Sequence, residues 1–414
     1  MKVQFKGDSL HGIINLPASK SISNRALMIR FLNGGEFPVE NLSKANDTII
    51  LNDCLEKIKT TEGLLTLDIK DAGTPFRFLT SLLCIQENKE FVLTGNERMK
   101  QRPVGALVDA LQSIGATITY LENPGFAPLL IQGAKLKGGN IQIDGSISSQ
   151  FISSLCLIAP LLENGLSINI THDIVSESYV DMTLAMMRVQ GIKVERKPNH
   201  LHIPQQEYTL KSEPVENDWS SATFFYSMAM LMDEADIQLC GLSQPSLQGD
   251  SVITQIAADF GIESRNLADG CLLQKKASWN ILFQKEYDLS GFPDLAVPFI
   301  VACAVRYPGI TIKGVHHLEL KESKRISALQ EGLKKIGIDI DYHSGVLRFN
   351  PWENRTESRE VSLNCYDDHR LVMAFSMLAL MGLTVNLENS DCVSKSYPGF
   401  FDQIRKLGFD CSPA

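Results

Sequence analysis

The sequence predicts a mixed α/β (α+β) chain, folded as two similar domains of three repeated units each, with helices packed on small sheets. Three observations predict it. A small, polar, charged motif, then an apolar helix of about three turns, then a β-rich run ending near Gly or Asn recurs six times. No Gly/Ser linker or low-complexity stretch interrupts the series. The 414 residues, 44% hydrophobic and 21% charged, exceed what one ordinary core organises and suffice for two.

At the start, Lys2, Gln4 and Lys6 alternate with Val3 and Phe5, the period of a strand and not the basic-then-apolar order of an export signal. No apolar run approaches a membrane span. Nine cysteines lie scattered without a CxxC pair. A cytoplasmic chain with reduced thiols, and no metal site or disulfide framework, is therefore expected. A net charge of −9 argues against nucleic acid as a partner, so cations clustered in motifs need a local explanation.

The first motif, Ser19-Lys20-Ser21-Ile22-Ser23-Asn24-Arg25, joins the strand-like run Ile13, Ile14, Leu16 to a helix running on from Ala26. Unpaired N–H groups and the dipole at a helix N-terminus favour an anion, to which Lys20 adds a point charge and Arg25 a fork. Taken alone, the stretch also reads as an ordinary serine cap with two solvated cations. Repetition favours the anion. The later motifs are Asp71–Arg77, Asp144–Gln150, Asn217–Ser221, Phe292–Leu295 and Asp367–Arg370. Their helices are expected over Phe76–Leu83, Phe151–Leu162, Ala222–Met232, Ala296–Val305 and Leu371–Met381. Strands follow at Phe91–Leu93, Leu166–Ile170, Ile237–Leu239 and Ile310–Ile312. Second helices are expected at Val104–Ile114, Val180–Val189 and Ser323–Ile336, closing near Gly115, Gly191 and Gly337. The first two motifs lie closer together than any other neighbours, so the first unit lacks a segment between the helix around Ile50–Lys57 and Asp71. Pro204–Tyr208 and Glu213–Asn217 separate the third unit from the fourth and mark a crossing between domains.

The helix starts and second-helix starts carry a biased set of side chains. The cations are Lys20, Arg25, Arg77, Arg102, Lys321, Arg325, Arg370 and Lys395; the acids are Asp294, Glu322 and Asp368; Ser21, Ser148, Ser149, Gln150 and Ser176 add hydroxyls and an amide. Equivalent units would bring these to equivalent ends and one cleft, a site for a small polyanion with phosphate or carboxylate groups. Each motif alone also reads as a cap or a weak surface ion pair; all of them together favour the anion site.

These residues also carry a resemblance. Lys-Ser-x-Ser-Asn-Arg-Ala from Lys20, Ala-Gly-Thr-x-x-Arg at Ala72–Arg77, Arg-Met-Lys-x-Arg-Pro at Arg98–Pro103, Gly-Ser-x-Ser-Ser-Gln-Phe at Gly145–Phe151, Lys-Glu-Ser-x-Arg-Ile at Lys321–Ile326 and Asp-His-Arg at Asp368–Arg370 occur in this order. Together they resemble the 5-enolpyruvylshikimate-3-phosphate synthase family of enolpyruvyl transferases, over Pro17 to Lys395. The resemblance implies two domains of βαβαββ-type units with the active site in the cleft between them. It assigns residues 17–217 to one domain, and 1–16 with 218–414 to the other. It implies a cytoplasmic, monomeric shikimate-pathway transferase that needs no cofactor, acts on phosphoenolpyruvate and shikimate 3-phosphate, leads to chorismate and aromatic amino acids, and is inhibited by glyphosate.

By the same resemblance, Ser148, Ser149 and Ser176 take the shikimate phosphate, and Lys20, Ser21, Arg25, Gln150, His317 and Lys321 hold the rest of that ligand. Phosphoenolpyruvate falls to Gly73, Arg102, Arg325, Arg370 and Lys395, with Lys20 and Gln150 touching both substrates. Asp294 is the base on the 5-hydroxyl, Glu322 the proton donor to the methylene, and Lys20 the third catalytic residue. Asp368 and His369 are expected to orient Arg370 and Lys395, or to pair structurally. Ligand-driven closure of the domains is a further expectation.

Some residues depart from the family pattern. Asp71 stands where many members have Asn, His317 where some have Asn, and Glu177 and Glu319 where bases are common. The related transferase acting on UDP-N-acetylglucosamine uses a loop cysteine that Asn96–Pro103 lacks. A non-catalytic anion-binding homologue is disfavoured because both Asp294 and Glu322 are present. His200 and His202 share a strand face without a third ligand nearby in sequence and are read as strand-end histidines.

Overall fold

Period-two burial in runs such as Leu166–Thr171 and all-round burial in runs such as Trp219–Leu231 sort the chain into half-covered strands and enclosed helices. The structure, a computed structural model, describes residues 1–35, 38–209, 211, 213–279, 281–350 and 359–413. These divide into two compact units: Lys20–Val215, and Met1–Ser19 with Glu216–Ala414.

The chain opens with β1 (Lys2–Phe5) and β2 (Leu10–Asn15), both of the second unit. The unit Lys20–Val215 begins with helices α1 (Lys20–Leu32) and α2 (Asn46–Thr60). Next come β3 (Leu64–Asp68), α3 (Gly73–Cys84), β4 (Glu90–Thr94), the single turn α4 (Glu97–Lys100), α5 (Gly105–Ser113), β5 (Thr117–Tyr120) and β6 (Leu129–Gln132). The same sequence of elements follows as β7 (Gly139–Asp144), α6 (Ser149–Ile158), β8 (Leu166–Thr171), α7 (Glu177–Val189), β9 (Glu195–Lys197) and β10 (His200–Ile203). The two sheets have one order, β3-β4-β6-β5 and β7-β8-β10-β9. In each, the first two strands are parallel across a helix and the last two form an antiparallel hairpin.

The other unit repeats the pattern three times. Its first copy is α8 (Trp219–Leu231), β11 (Ala235–Cys240), α9 (Ile253–Ala258), β12 (Ile262–Leu267) and β13 (Gly270–Lys275). Its second is β14 (Glu286–Asp288), α10 (Pro293–Arg306), β15 (Thr311–Lys313), α11 (Arg325–Lys334), β16 (Ile340–His343) and β17 (Val346–Phe349). Its third is β18 (Glu360–Leu363), α12 (His369–Ser376), β19 (Thr384–Leu387), α13 (Phe400–Arg405) and β20 (Phe409–Ser412). The N-terminal strands complete two of these sheets: β2 runs parallel to β11 in the order β12-β13-β11-β2, and β1 lies between β19 and β20. The remaining sheet is β14-β15-β17-β16.

Where six equivalent units are expected, five have a sheet among the described residues. The first copy has only α1 and α2, because β3, which opens the next sheet, begins four residues after α2 ends at Thr60 and leaves no chain for a hairpin. Each unit has its own core. In Lys20–Val215, α1, α3 and α6 pack together; in the other unit α10 packs on both α8 and α12. Every one of these helices begins inside its polar motif, two or more residues earlier than the apolar pattern alone predicts, since the polar residues form first turns. Two end early, at Ile158 and Ser376, where 3-10 turns Ala159–Leu161 and Met377–Met381 take over. No helix among the described residues is long and apolar enough to cross a membrane.

Candidate active site

The motif residues of Lys20–Val215 lie at or near the N-terminal turns of its helices. Lys20 and Ser21 open α1, and the Lys20 ammonium lies 3.4 Å from the Asp47 carboxylate. Arg25, one turn on, is 2% exposed. Its Nε donates to Thr183 Oγ1 (2.7 Å), Nη1 to the Ser21 carbonyl (2.9 Å) and Nη2 to the Tyr179 carbonyl (3.0 Å). It also lies over the rings of Phe78 and Tyr179. Burial among neutral partners pushes its pKa down to about 10. Gly73, the first residue of α3, is pressed against two guanidinium groups: a Cβ there would stand 2.4 Å from Arg102 Nη1 and 3.0 Å from Arg77 Nη1. Arg77 donates to the Gly73 carbonyl at 3.0 Å, while Arg102 Nε is buried without a hydrogen-bond partner.

Ser148 caps α6, its hydroxyl accepting from the Gln150 amide at 3.3 Å, and Ser149 is buried in the first turn. The Gln150 side chain donates to Thr74 Oγ1 at 3.0 Å, which ties the start of α6 to that of α3. Ser176 precedes α7 in a left-handed conformation (φ 59°), uncommon for serine. Its hydroxyl is buried with no hydrogen-bond partner among the described residues. Glu177 is held by Arg196, which also meets Asp181.

In the other unit, one buried guanidinium gathers the acids. Arg325, 1% exposed, donates from Nε to Asp368 Oδ2 (2.8 Å) and from Nη2 to Asp368 Oδ1 (3.2 Å) and Glu322 Oε2 (2.9 Å). Its Nη1 lies 3.7 Å from Asp294 Oδ1. Burial opposes its charge, but Asp368, Glu322 and Asp294 outweigh that and raise its pKa. Arg370, 4% exposed, pairs with Asp294 Oδ2 at 2.7 Å. Asp294 lies in the first turn of α10, and Glu322 and Lys321 lie just before α11. Lys395 is buried at the end of the 3-10 turn Ser390–Lys395, against which α12 packs. His317 is 2% exposed, and neither ring nitrogen has a hydrogen-bond partner among the described residues. Burial, followed by the Lys321, His316 and Arg325 charges, pushes it down to about 3, so the ring is neutral in ordinary buffers.

Several of these side chains have structural partners. The Asp368 side chain grips Arg325 and the Ser323 hydroxyl and caps α12 through the Arg370 backbone N–H at 3.0 Å. It therefore orients Arg325 and the helix start. Glu319 caps α11 by accepting from the backbone N–H and hydroxyl of Ser327, both at 3.0 Å. His202 is engaged with Ser167 at 2.8 Å. Three buried aspartates stand outside the acids singled out in the sequence: Asp47 beside Lys20, Asp218, which lies in the fourth motif and caps α8, and Asp250, which burial and the Asp294 charge push up. Only Asp218 left a signal, the cap spacing of Asp-Trp-Ser-Ser.

Comparison with known proteins identifies the family and the fold. The family model described as EPSP synthase (3-phosphoshikimate 1-carboxyvinyltransferase) matches residues 5–404. The 3-phosphoshikimate 1-carboxyvinyltransferase of Bacteroides fragilis is 38% identical over 400 residues, covering 96% of this chain and 95% of that protein. The protein of the same name from Aliivibrio salmonicida is 34% identical over 423 residues, covering 96% and 97%. In fold, the chain is similar to a solved EPSP synthase from Acinetobacter baumannii, with a TM-score of 0.77 at 22% identity, over 100% of this chain and 99% of that one.

Proposed function

The chain belongs to the EPSP synthase family and so transfers the enolpyruvyl group of phosphoenolpyruvate to shikimate 3-phosphate in aromatic amino acid biosynthesis; we propose how its own residues divide that work. Asp294 takes the proton of the 5-hydroxyl as that oxygen bonds to C2 of phosphoenolpyruvate. Glu322 delivers a proton to the methylene carbon, giving a tetrahedral intermediate. Return of a methyl proton to Glu322 then accompanies cleavage of the C2–O bond to phosphate, and the proton held by Asp294 leaves with the phosphate. The observation that carries this reading is the shared guanidinium: Arg325 holds Glu322 at 2.9 Å and lies 3.7 Å from Asp294, which Arg370 grips from its other oxygen. Base and acid are thereby held on one rigid group.

Both units contribute binding residues to the proposal. Ser148, Ser149 and Ser176 take the phosphate of shikimate 3-phosphate, supported by their places at the starts of α6 and α7 and by the unpartnered Ser176 hydroxyl. Lys20, Ser21, Arg25, Gln150 and Lys321 hold its remaining polar groups. Neutral His317 offers one donor and one acceptor to the same ligand. Phosphoenolpyruvate meets Gly73, Arg102, Arg325, Arg370 and Lys395, with Lys20 and Gln150 between the substrates. The nine thiols are unpaired, as a reducing compartment keeps them, and suit a cytoplasmic enzyme.

Phosphate release is the direct test. Release should require both substrates, and Glu322→Gln and Asp294→Asn should each lower kcat by about 10²–10⁴-fold. Release without shikimate 3-phosphate, or undiminished rates in both variants, would overturn these roles.

A further inference from the structure

Lys20 is the first residue of α1, where the helix dipole repels a cation. Its long side chain is flexible, so something must fix the ammonium if it is to meet a ligand in one place. Asp47 is suited to do so. It lies in the first turn of α2, an electrostatically favourable place for a carboxylate, and it is 3% exposed. A carboxylate so buried needs a partner. Among the described residues its Oδ2 has the Lys20 ammonium at 3.4 Å, while Oδ1 has no hydrogen-bond partner.

The surrounding chain fixes this pair. The Ser43 backbone N–H donates to Ser23 Oγ at 3.0 Å, and the Ala45 N–H to Ser43 Oγ at 3.3 Å. These bonds staple the segment leading into α2 onto α1, so the carboxylate is carried on a rigid mount. Ala45 cannot cap α2 with its side chain, and Asp47 is the only acid of that first turn. Asn24, on the same face of α1 as Lys20 four residues earlier, is fully buried, and among the described residues neither end of its amide has a hydrogen-bond partner. Thr48, next to Asp47, is fully buried with its hydroxyl unpartnered. The Lys20–Asp47 pair therefore sits in a polar, enclosed setting.

We propose that Asp47 is a positioning residue for the transferase reaction: it fixes the Lys20 ammonium at the start of α1, and acts on the substrates only through Lys20. The proposal rests on the reading that Lys20 binds substrate. It explains why a buried acid adjoins a site for anions. The carboxylate meets one cation, and it is carried on the first turn of α2.

Steady-state kinetics and thermal unfolding of Asp47→Asn, Asp47→Glu, Lys20→Met and the double variant Asp47→Asn/Lys20→Met test it. Asp47→Asn is expected to lower kcat/KM by about ten- to a hundredfold. Asp47→Glu, which keeps the charge one methylene further out, should recover a substantial part of that loss. The double variant should be within about twofold of Lys20→Met alone, because the two residues act as one. Losses that multiply in the double variant, or no rescue by Asp47→Glu at an unchanged Tm, would overturn the positioning role while leaving Lys20 as a ligand. Full activity in Lys20→Met would overturn the assignment of Lys20, and this proposal with it.

Discussion

Arg25 and Arg325 are both buried arginines, and their surroundings treat them in opposite ways. Arg325 is surrounded by Asp368, Glu322 and Asp294, which offset its charge and fix its guanidinium in place. Arg25 has hydroxyl and carbonyl partners and two aromatic faces, which leave its positive charge uncompensated and suited to an anionic ligand. Asp250 shows the reverse problem. Its Oδ2 accepts from Ser220 at 2.6 Å, but burial and then the Asp294 and Asp218 charges push its carboxyl from 3.8 up to about 7, although Arg370 draws it down. Between those values the folded protein keeps a proton that the unfolded chain has released, so stability falls as pH rises from about 4 to about 7. Tm measured from pH 5 to 8 should therefore fall less steeply in Asp250→Asn than in the wild type. Equal slopes would show that this carboxyl does not titrate there.

At the scale of elements, the six packed helices share a polar start but finish it differently. Asp218 and Asp368 cap α8 and α12 with their own carboxylates, which closes those ends to an anion. Ala72 provides α3 with no side-chain cap, and two guanidinium groups stand against Gly73. That start is open to an anion and already lined with positive charge. Gly73→Ala would place a methyl 2.4 Å from Arg102 Nη1 and push that group aside. KM for phosphoenolpyruvate should rise about tenfold or more, because displacing a positioning cation by about 1 Å is costly, while binding of shikimate 3-phosphate by calorimetry stays near wild type. An unchanged KM for phosphoenolpyruvate would remove Arg102 from that role.

For the whole molecule, the two cores share no residue: one is built from α1, α3, α6 and their sheets, the other from α8, α10, α12 and theirs. Separate cores of this size predict unfolding that is not two-state. Leu155→Ala in α6 and Phe299→Ala in α10 each remove a side chain with no exposure. Each should cost about 3–5 kcal/mol and lower the transition of its own unit by roughly 5–15 °C. Scanning calorimetry that gives one two-state transition, shifted alike by both variants, would contradict independent cores.

The sequence by itself determined the repeat, the six polar motifs that open its helices, the order of motifs and the family, because caps, glycine turns and hydrophobic periodicity act within a few residues of one another. It also exposed the short first copy, through spacing alone. Only the tertiary structure decided that β1 and β2 complete sheets with strands more than two hundred residues away. It alone decided that Asp368 grips Arg325, 43 residues earlier, and that Asp47 meets Lys20. Those pairings depend on which helix starts are packed together, and a side chain's type does not specify its partner when several opposite charges stand at equivalent ends. Burial then decided the electrostatics, drawing Arg25 down, Arg325 up and His317 to neutrality, because the cost of a charge depends on the water removed from it and on the charges that replace that water.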